Sequence, residues 1–192
     1  MAWPETRLSL VGRLHDPHDA DAWGAFLHDY EPFLLGMLCR RGFQEADARD
    51  VTQQVLLSVA RHVVDWKPDG RPASFRRWLM TIARNTSLRA LEQAAKRPLA
   101  GEASSGAFER IPARTSPEAD YREEVMAWAL SRIQPEFRPQ TWSAFWESVV
   151  RQRPVEEVCR ELQITAGALY MARSRVMARL KIAVTELDPG DG

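Results

Sequence analysis

The chain has 192 residues, 45% of them hydrophobic, which suits one large folded domain or two small ones. Its 26 basic and 26 acidic residues cancel to a formal net charge of zero, and 2 cysteines exclude a disulfide-rich scaffold. No window approaches the run of about eighteen apolar residues that marks a membrane span, and Met1 to Asp16 lacks the basic start, apolar run and small-residue cleavage site of a signal peptide, so a cytoplasmic protein is expected.

Taken in order, Trp23, Phe26, Tyr30, Phe33, Leu34 and Met37 form a broad apolar stripe that predicts a first helix over 21–38. Pro32 interrupts it and either kinks it or splits it in two, and Gly42 marks its end. From about Glu45 to Trp66 a second helix follows, with Val51, Val55, Val59 and Val63 recurring every four positions and Leu56 and Leu57 widening the stripe. Asp47 and Asp50 fall in its opening turns, where negative charge complements the unpaired N–H groups and the helix dipole.

Lys67-Pro68-Asp69-Gly70-Arg71-Pro72-Ala73 cannot hold regular structure. Ser74 is then placed to cap a third helix whose apolar side is Phe75, Trp78, Leu79, Ile82 and Thr86 and which closes near Lys96. Local charge changes sign here: residues 1–66 carry ten acids and six bases, whereas 71–97 carry seven bases against Glu92 alone. Partners feel that local sign rather than the zero total. Basic residues interleaved with Trp and Asn suit phosphate binding, base stacking and base-edge hydrogen bonding; a solvated basic face is the other reading of the same pattern.

Residues 97–116 are dominated by Gly, Ala, Ser and Pro, without a helical period, and are expected to be a flexible linker. Ser116-Pro117-Glu118 carries a capping hydroxyl, Pro at the first helical position and an acid in the first turn, so a helix starts there and buries Tyr121, Val125, Trp128 and Ala129. After Pro135, Pro139 opens a segment with Trp142, Phe145, Trp146 and Val149 at helical spacing, a stripe read as core. Pro154 starts a short helix with Val155, Val158, Cys159 and Leu162 inward. After a turn at Gln163 and Ile164, Thr165 caps a longer helix that buries Leu169, Val176, Leu180 and Val184. Two helices joined by a tight turn, with seven bases against three acids over 151–181, predict a helix-turn-helix. Cys39 and Cys159, on apolar helical faces, are expected to be buried free thiols, and His15, His18, His28 and His62 form no metal or nucleophile constellation.

These motifs carry a family resemblance. The run DARDVTQQVLLSV resembles the core-polymerase-binding helix of bacterial sigma factors, and SFRRWLMTIARNTSLRAL resembles the promoter-melting helix that follows it, in particular those of the extracytoplasmic-function group of the sigma-70 class. The likeness covers about residues 8–96 and 117–187. It implies an all-α protein of two small helical domains joined by a flexible linker: 1–96, like sigma region 2; the linker 97–116; and 117–192, like sigma region 4 with its helix-turn-helix.

The same resemblance implies the partners: the clamp and flap of core RNA polymerase, promoter DNA both double-stranded and melted, and an anti-sigma factor or a kinase as regulator. It implies no cofactor, no metal and no catalysis by the chain itself. Asp47, Asp50 and Gln54 would meet the polymerase. Arg71, Ser74, Arg76, Arg77, Trp78, Arg84 and Asn85 would meet the minus-ten DNA, with Trp78 expected to be buried. Thr165, Tyr170, Met171, Ser174 and Arg175 would meet the minus-thirty-five element, with Arg173 and Arg179 on phosphates. Arg175 toward guanine has the firmest physical basis, since a guanidinium donates to both major-groove acceptors.

The chain departs from the family pattern at Arg49 and Gln54, where relatives often carry acids, and at Tyr170 and Ala172, where they commonly carry a base. Phosphorylation of Thr52 or a neighbouring hydroxyl would restore the missing negative charge. The competing functional class is a stand-alone helix-turn-helix regulator that binds duplex DNA without polymerase. An enzyme is disfavoured because the sequence has no Gly-rich phosphate loop and helix starts account for its acids.

Overall fold

The computed structural model describes residues 4, 6–70, 73–96 and 116–188, and the protein is all-α, with no strand among them. The expected linker at 97–116 lies outside these residues except for Ser116, as does Arg71. The chain forms two compact units, Met1–Glu124 and Val125–Gly192.

The first unit opens with a short helix that the sequence reading does not anticipate, α1 (Leu8–Arg13), and continues with α2 (Ala20–Arg40), α3 (Glu45–His62) and α4 (Ser74–Lys96). Asp19 caps α2, accepting a hydrogen bond from the Ala22 amide at 3.0 Å. Pro32 neither ends nor splits α2. Its ring lies on the exposed side, where the carbonyl deprived of a donor can be hydrated. The helix stops at Gly42, whose φ of 99° is open to glycine at no steric cost. The Phe43 amide bonds the Leu38 carbonyl and the Gly42 amide bonds the Cys39 carbonyl, the double closure of a Schellman motif.

An aromatic cluster holds α4 against α2. Phe75 meets Phe26, Tyr30, Trp66 and Trp78 at ring-centroid distances of 6.2, 5.9, 5.4 and 5.5 Å. Tyr30 is buried, and its hydroxyl is satisfied by Thr6 at 2.9 Å. Beneath this cluster Leu34, Met37, Val51, Val55, Val59, Leu79 and Ala83 complete the core.

Four expectations need correcting. Leu57 is exposed, because it lies a third of a turn beyond the buried valine row. The inward face of α4 runs through Phe75, Leu79, Met80, Ala83, Thr86 and Ser87, leaving Trp78 and Ile82 half-buried at its edge. Ser74 is the first residue of α4 rather than its cap, since the chain enters through Ala73 at φ 53° and the Ala73 carbonyl accepts the first helical bond. Cys39 is exposed and Cys159 half-buried, each being next to the fully buried position on its helix.

Helix α5 (Pro117–Ile133) gives its first turns to the first unit and the remainder to the second. Ser116 caps it by accepting from the Ala119 amide. In the second unit α6 (Pro139–Phe145) runs into a single π turn, Trp146–Val150, and then come α7 (Val155–Leu162) and α8 (Ala166–Leu187). Ala129, Ile133, Phe145, Val176, Leu180 and Ala183 form the core, with Val184 at its margin. Trp142 packs against it from the margin, half-buried like Trp146. They stack on each other and line an open cavity of about 490 Å³.

The turn between α7 and α8 repeats the closure at Gly42 with a different residue. Gln163 sits at φ 52°, and the Ile164 amide bonds the Cys159 carbonyl. A side chain at that φ is strained, so Gln163→Gly should raise unfolding free energy by about 1 kcal/mol, measured by chemical denaturation. Phe75→Ala should cost about 3–5 kcal/mol in the same assay, because four rings lose their common partner.

Candidate functional site

Three surfaces carry the residues singled out in the sequence. On α3, burial of Ala48, Val51, Thr52 and Val55 turns Asp47, Asp50 and Gln54, spaced three and four apart, onto the opposite face. All three rim a cleft of about 400 Å³ whose far wall is Ala90, Gln93 and Ala94 at the end of α4. Arg49 does not cancel their charge, because its guanidinium bonds Glu45 one turn earlier at 2.6 Å. The negative face is therefore intact despite the departures at Arg49 and Gln54. Thr52 is only 1% exposed, so a kinase could not reach its hydroxyl while α3 stays packed, and the phosphorylation idea loses its principal target.

On α4 the residues assigned to the melted strand do not share one surface. Trp78 is half-buried beside Trp66 and Phe75, Ser74 is buried, and Asn85 is exposed. Arg76 reaches back toward the Pro4 carbonyl at 3.5 Å.

Arg77 and Arg84 point instead at the opening turns of α5. Arg77 pairs with Glu118, and its guanidinium lies 4.5 Å over the Tyr121 ring. Arg84 Nε donates to Asp120 Oδ2 at 3.1 Å. Arg41 reaches both Asp120, at 3.6 Å, and Glu124, at 3.4 Å, and Arg40 binds Glu124 at 2.8 Å. Asp120 and Glu124 are each 5% exposed and Tyr121 is 1% exposed. The sequence reading missed this network. Its one visible trace is the acid density of Pro117 to Glu124, which helix-start preferences explain without it.

In the second unit Thr165 caps α8, accepting from the Ala168 amide at 3.1 Å. From there Tyr170, Met171, Ser174 and Arg175 project outward together. Ala172, at a position where a base is common, is buried against the unit's interior. The two phosphate candidates are engaged within the protein. Arg173 donates to the Ser148 hydroxyl and carbonyl, both at 2.9 Å, supplying a donor where the π turn ends, and it lies over the Tyr170 ring. Arg179 forms a forked pair with Glu136 at 2.7 and 2.8 Å.

The helix pair is braced by Arg153, which binds Glu147 of the π turn at 3.1 Å and Glu161 of α7 at 2.7 Å. The hydrogen bond from Arg153, helped by Arg151, holds the Glu147 carboxyl below its ordinary 4.5.

Among known proteins, residues 26–97 match the family model of sigma-70 region 2. That span runs from the second turn of α2 to the end of α4, and so contains the acidic face of α3 and the basic helix. No curated protein matches the chain. One similar solved structure is a chain of the RsbN–BldN complex, 21% identical over 90% of this chain and 97% of that one, with a TM-score of 0.35.

The two arginines of α8 should separate cleanly. Arg173→Ala should destabilise the protein by about 1.5–3 kcal/mol, since hydrogen bonds from a charged group are lost, whereas Arg175→Ala should leave stability within about 0.5 kcal/mol; thermal melts of the two variants check this. Because folding lowers the Glu147 pKa, its contribution is complete above the unfolded value and disappears as pH falls through the lowered one. Glu147→Gln should therefore flatten the acid side of the stability profile and lower the plateau above it, where the ionised carboxylate contributes in full, so that the two proteins converge only at low pH.

Proposed function

We propose that the chain is an extracytoplasmic-function sigma factor of the sigma-70 class that directs core RNA polymerase to promoters and assists strand opening, a reading supported by the region 2 match over residues 26–97. The observation that supports this most is the coincidence of the region 2 match with α3, whose Asp47, Asp50 and Gln54 stand exposed on one rim.

Each surface then has a role. Core polymerase docks on the acidic rim of α3, where like-signed carboxylates attract a basic partner and repel an acidic one. The exposed side of α4, with Asn85 and the half-buried Trp78, takes the non-template strand of the minus-ten element by stacking and base-edge hydrogen bonds. In the second unit α7 and α8 act as a helix-turn-helix, with α8 entering the major groove of the minus-thirty-five element. There Arg175 reads a guanine, while Tyr170 and Met171 offer apolar contact to a thymine methyl. Arg173 and Arg179, each engaged inside the protein, support the helix rather than the phosphates. The polymerase supplies the chemistry; this chain supplies the address.

Removing the charge of the docking rim tests the first role. Asp47→Arg with Asp50→Arg should lower capture of purified core polymerase at least about tenfold, consistent with reversal of two interfacial charges, while costing only about 1 kcal/mol of stability, since both positions are exposed and lose a favourable place near the start of α3. Equal capture by wild type and variant would remove the docking assignment. If the wild type binds duplex promoter DNA but no polymerase, a stand-alone regulator is the better description.

A further inference from the structure

Resting on the reading of α4 as the strand-capturing helix, we infer that the opening turns of α5, Pro117–Glu124, are an internal cover that imitates a single DNA strand and has to be displaced before a strand can reach Arg77 and Arg84. A single strand offers a protein negative oxygens at intervals, with planar rings between them. Over one face of α5, Glu118, Asp120 and Glu124 offer carboxylate oxygens and Tyr121 a ring, and each meets a guanidinium. Glu118 pairs with Arg77, Asp120 lies 3.1 Å from Arg84, Glu124 lies 2.8 Å from Arg40, and the Tyr121 ring sits 4.5 Å beneath Arg77.

The pattern follows from helix geometry, because Asp120 and Glu124 are four apart and Glu118, Tyr121 and Glu124 three apart, so all four share a side. Arg41, bridging Asp120 and Glu124, joins the pairs into one network.

The energetics suit a cover rather than a permanent joint. Pairs that take charges out of water contribute little net stability, since desolvation offsets attraction. Replacing a carboxylate on Arg77 or Arg84 with a phosphate oxygen exchanges like for like, so a strand of sufficient local concentration can displace the segment. Asn85 and Arg89 remain exposed on α4 beside the covered arginines and give an incoming strand a place to begin.

The test uses the full chain with Glu118→Gln, Asp120→Asn and Glu124→Gln combined, beside a control in which the exposed Glu92, Glu123 and Glu186 are changed to Gln for the same change in net charge. Binding of a fluorescein-labelled single-stranded oligothymidylate is measured by anisotropy, and phenylglyoxal modification of each arginine is read by mass spectrometry. The cover variant should bind the oligonucleotide at least about tenfold tighter than wild type and control, on the scale of contacts that are mainly phosphate, and its Arg77 and Arg84 should change from protected to reactive. If affinity and reactivity match those of wild type, no cover exists and the inference fails, while the polymerase-docking and strand-capture readings are untouched. If the arginines become reactive without any gain in affinity, α4 is not the strand-binding helix, and the reading beneath the inference fails with it. Should circular dichroism show the triple variant unfolded, Glu118→Gln alone decides, since that side chain is 38% exposed, with Arg77 reactivity and affinity as the same two readouts.

Discussion

The packing of the first unit's aromatic rings is decided at one residue, Phe75, where rings from α2, from the segment after α3 and from α4 converge. A buried ring with four aromatic neighbours admits few alternative orientations, because edge-to-face and tilted contacts depend on both distance and angle. The rotation of α4 about its own axis is thereby set. Once Phe75, Leu79 and Ala83 face inward, Asn85 and Arg89 must face outward and Arg77 and Arg84 must lie at the flank toward α5. The acidic rim depends on the same core, since α3 presents Asp47, Asp50 and Gln54 only while Val51, Val55 and Val59 stay buried against α2 and α4.

The two units solve a similar problem by different means. In the first, the helix that bears the candidate strand-binding residues is held by an aromatic cluster. In the second, α8 is held by a modest apolar core together with charged braces: Arg173 to Ser148, Arg179 to Glu136, and Arg153 across Glu147 and Glu161. Of these, the ion pairs of Arg179 and Arg153 at the edge of a small core fix orientation more than they add stability, whereas the hydrogen bonds from Arg173 to Ser148 do both. That arrangement consumes bases that a count of charges assigns to DNA, and it leaves Tyr170, Met171, Ser174 and Arg175 as the outward group. On the proposed reading of α8 as the duplex-contacting helix, a surface with one arginine and two large apolar side chains differs from a uniformly basic one. It favours contacts to base edges and methyl groups over phosphate contacts.

Local sign, rather than net charge, organises the molecule. The carboxylates of α3 face outward, whereas those at the start of α5 are turned onto arginines of the same unit. Both sets begin from the preference of acids for helix starts. What separates them is whether a guanidinium lies opposite, and that depends on which helices pack together.

Most of the helical architecture was legible from periodicity and punctuation. The valine row at four-residue spacing, Gly42 and the caps at Ser116 and Thr165 each act through neighbours within a turn of helix, so their effect is written locally. The outward position of Asp47, Asp50 and Gln54 was legible for the same reason, because a helix with one buried stripe has only one opposite face. Tertiary structure alone decided the fate of the arginines, the half-burial of Trp78 and the burial of Thr52. In each case a neighbour distant in the chain, such as Asp120 for Arg84 or Trp66 for Trp78, determines the outcome. A guanidinium on a helix surface reads identically in sequence whether its partner is a phosphate or a carboxylate some forty residues on, as between Arg77 and Glu118, since charge acts through space and the periodicity of a helix records only which side faces the core.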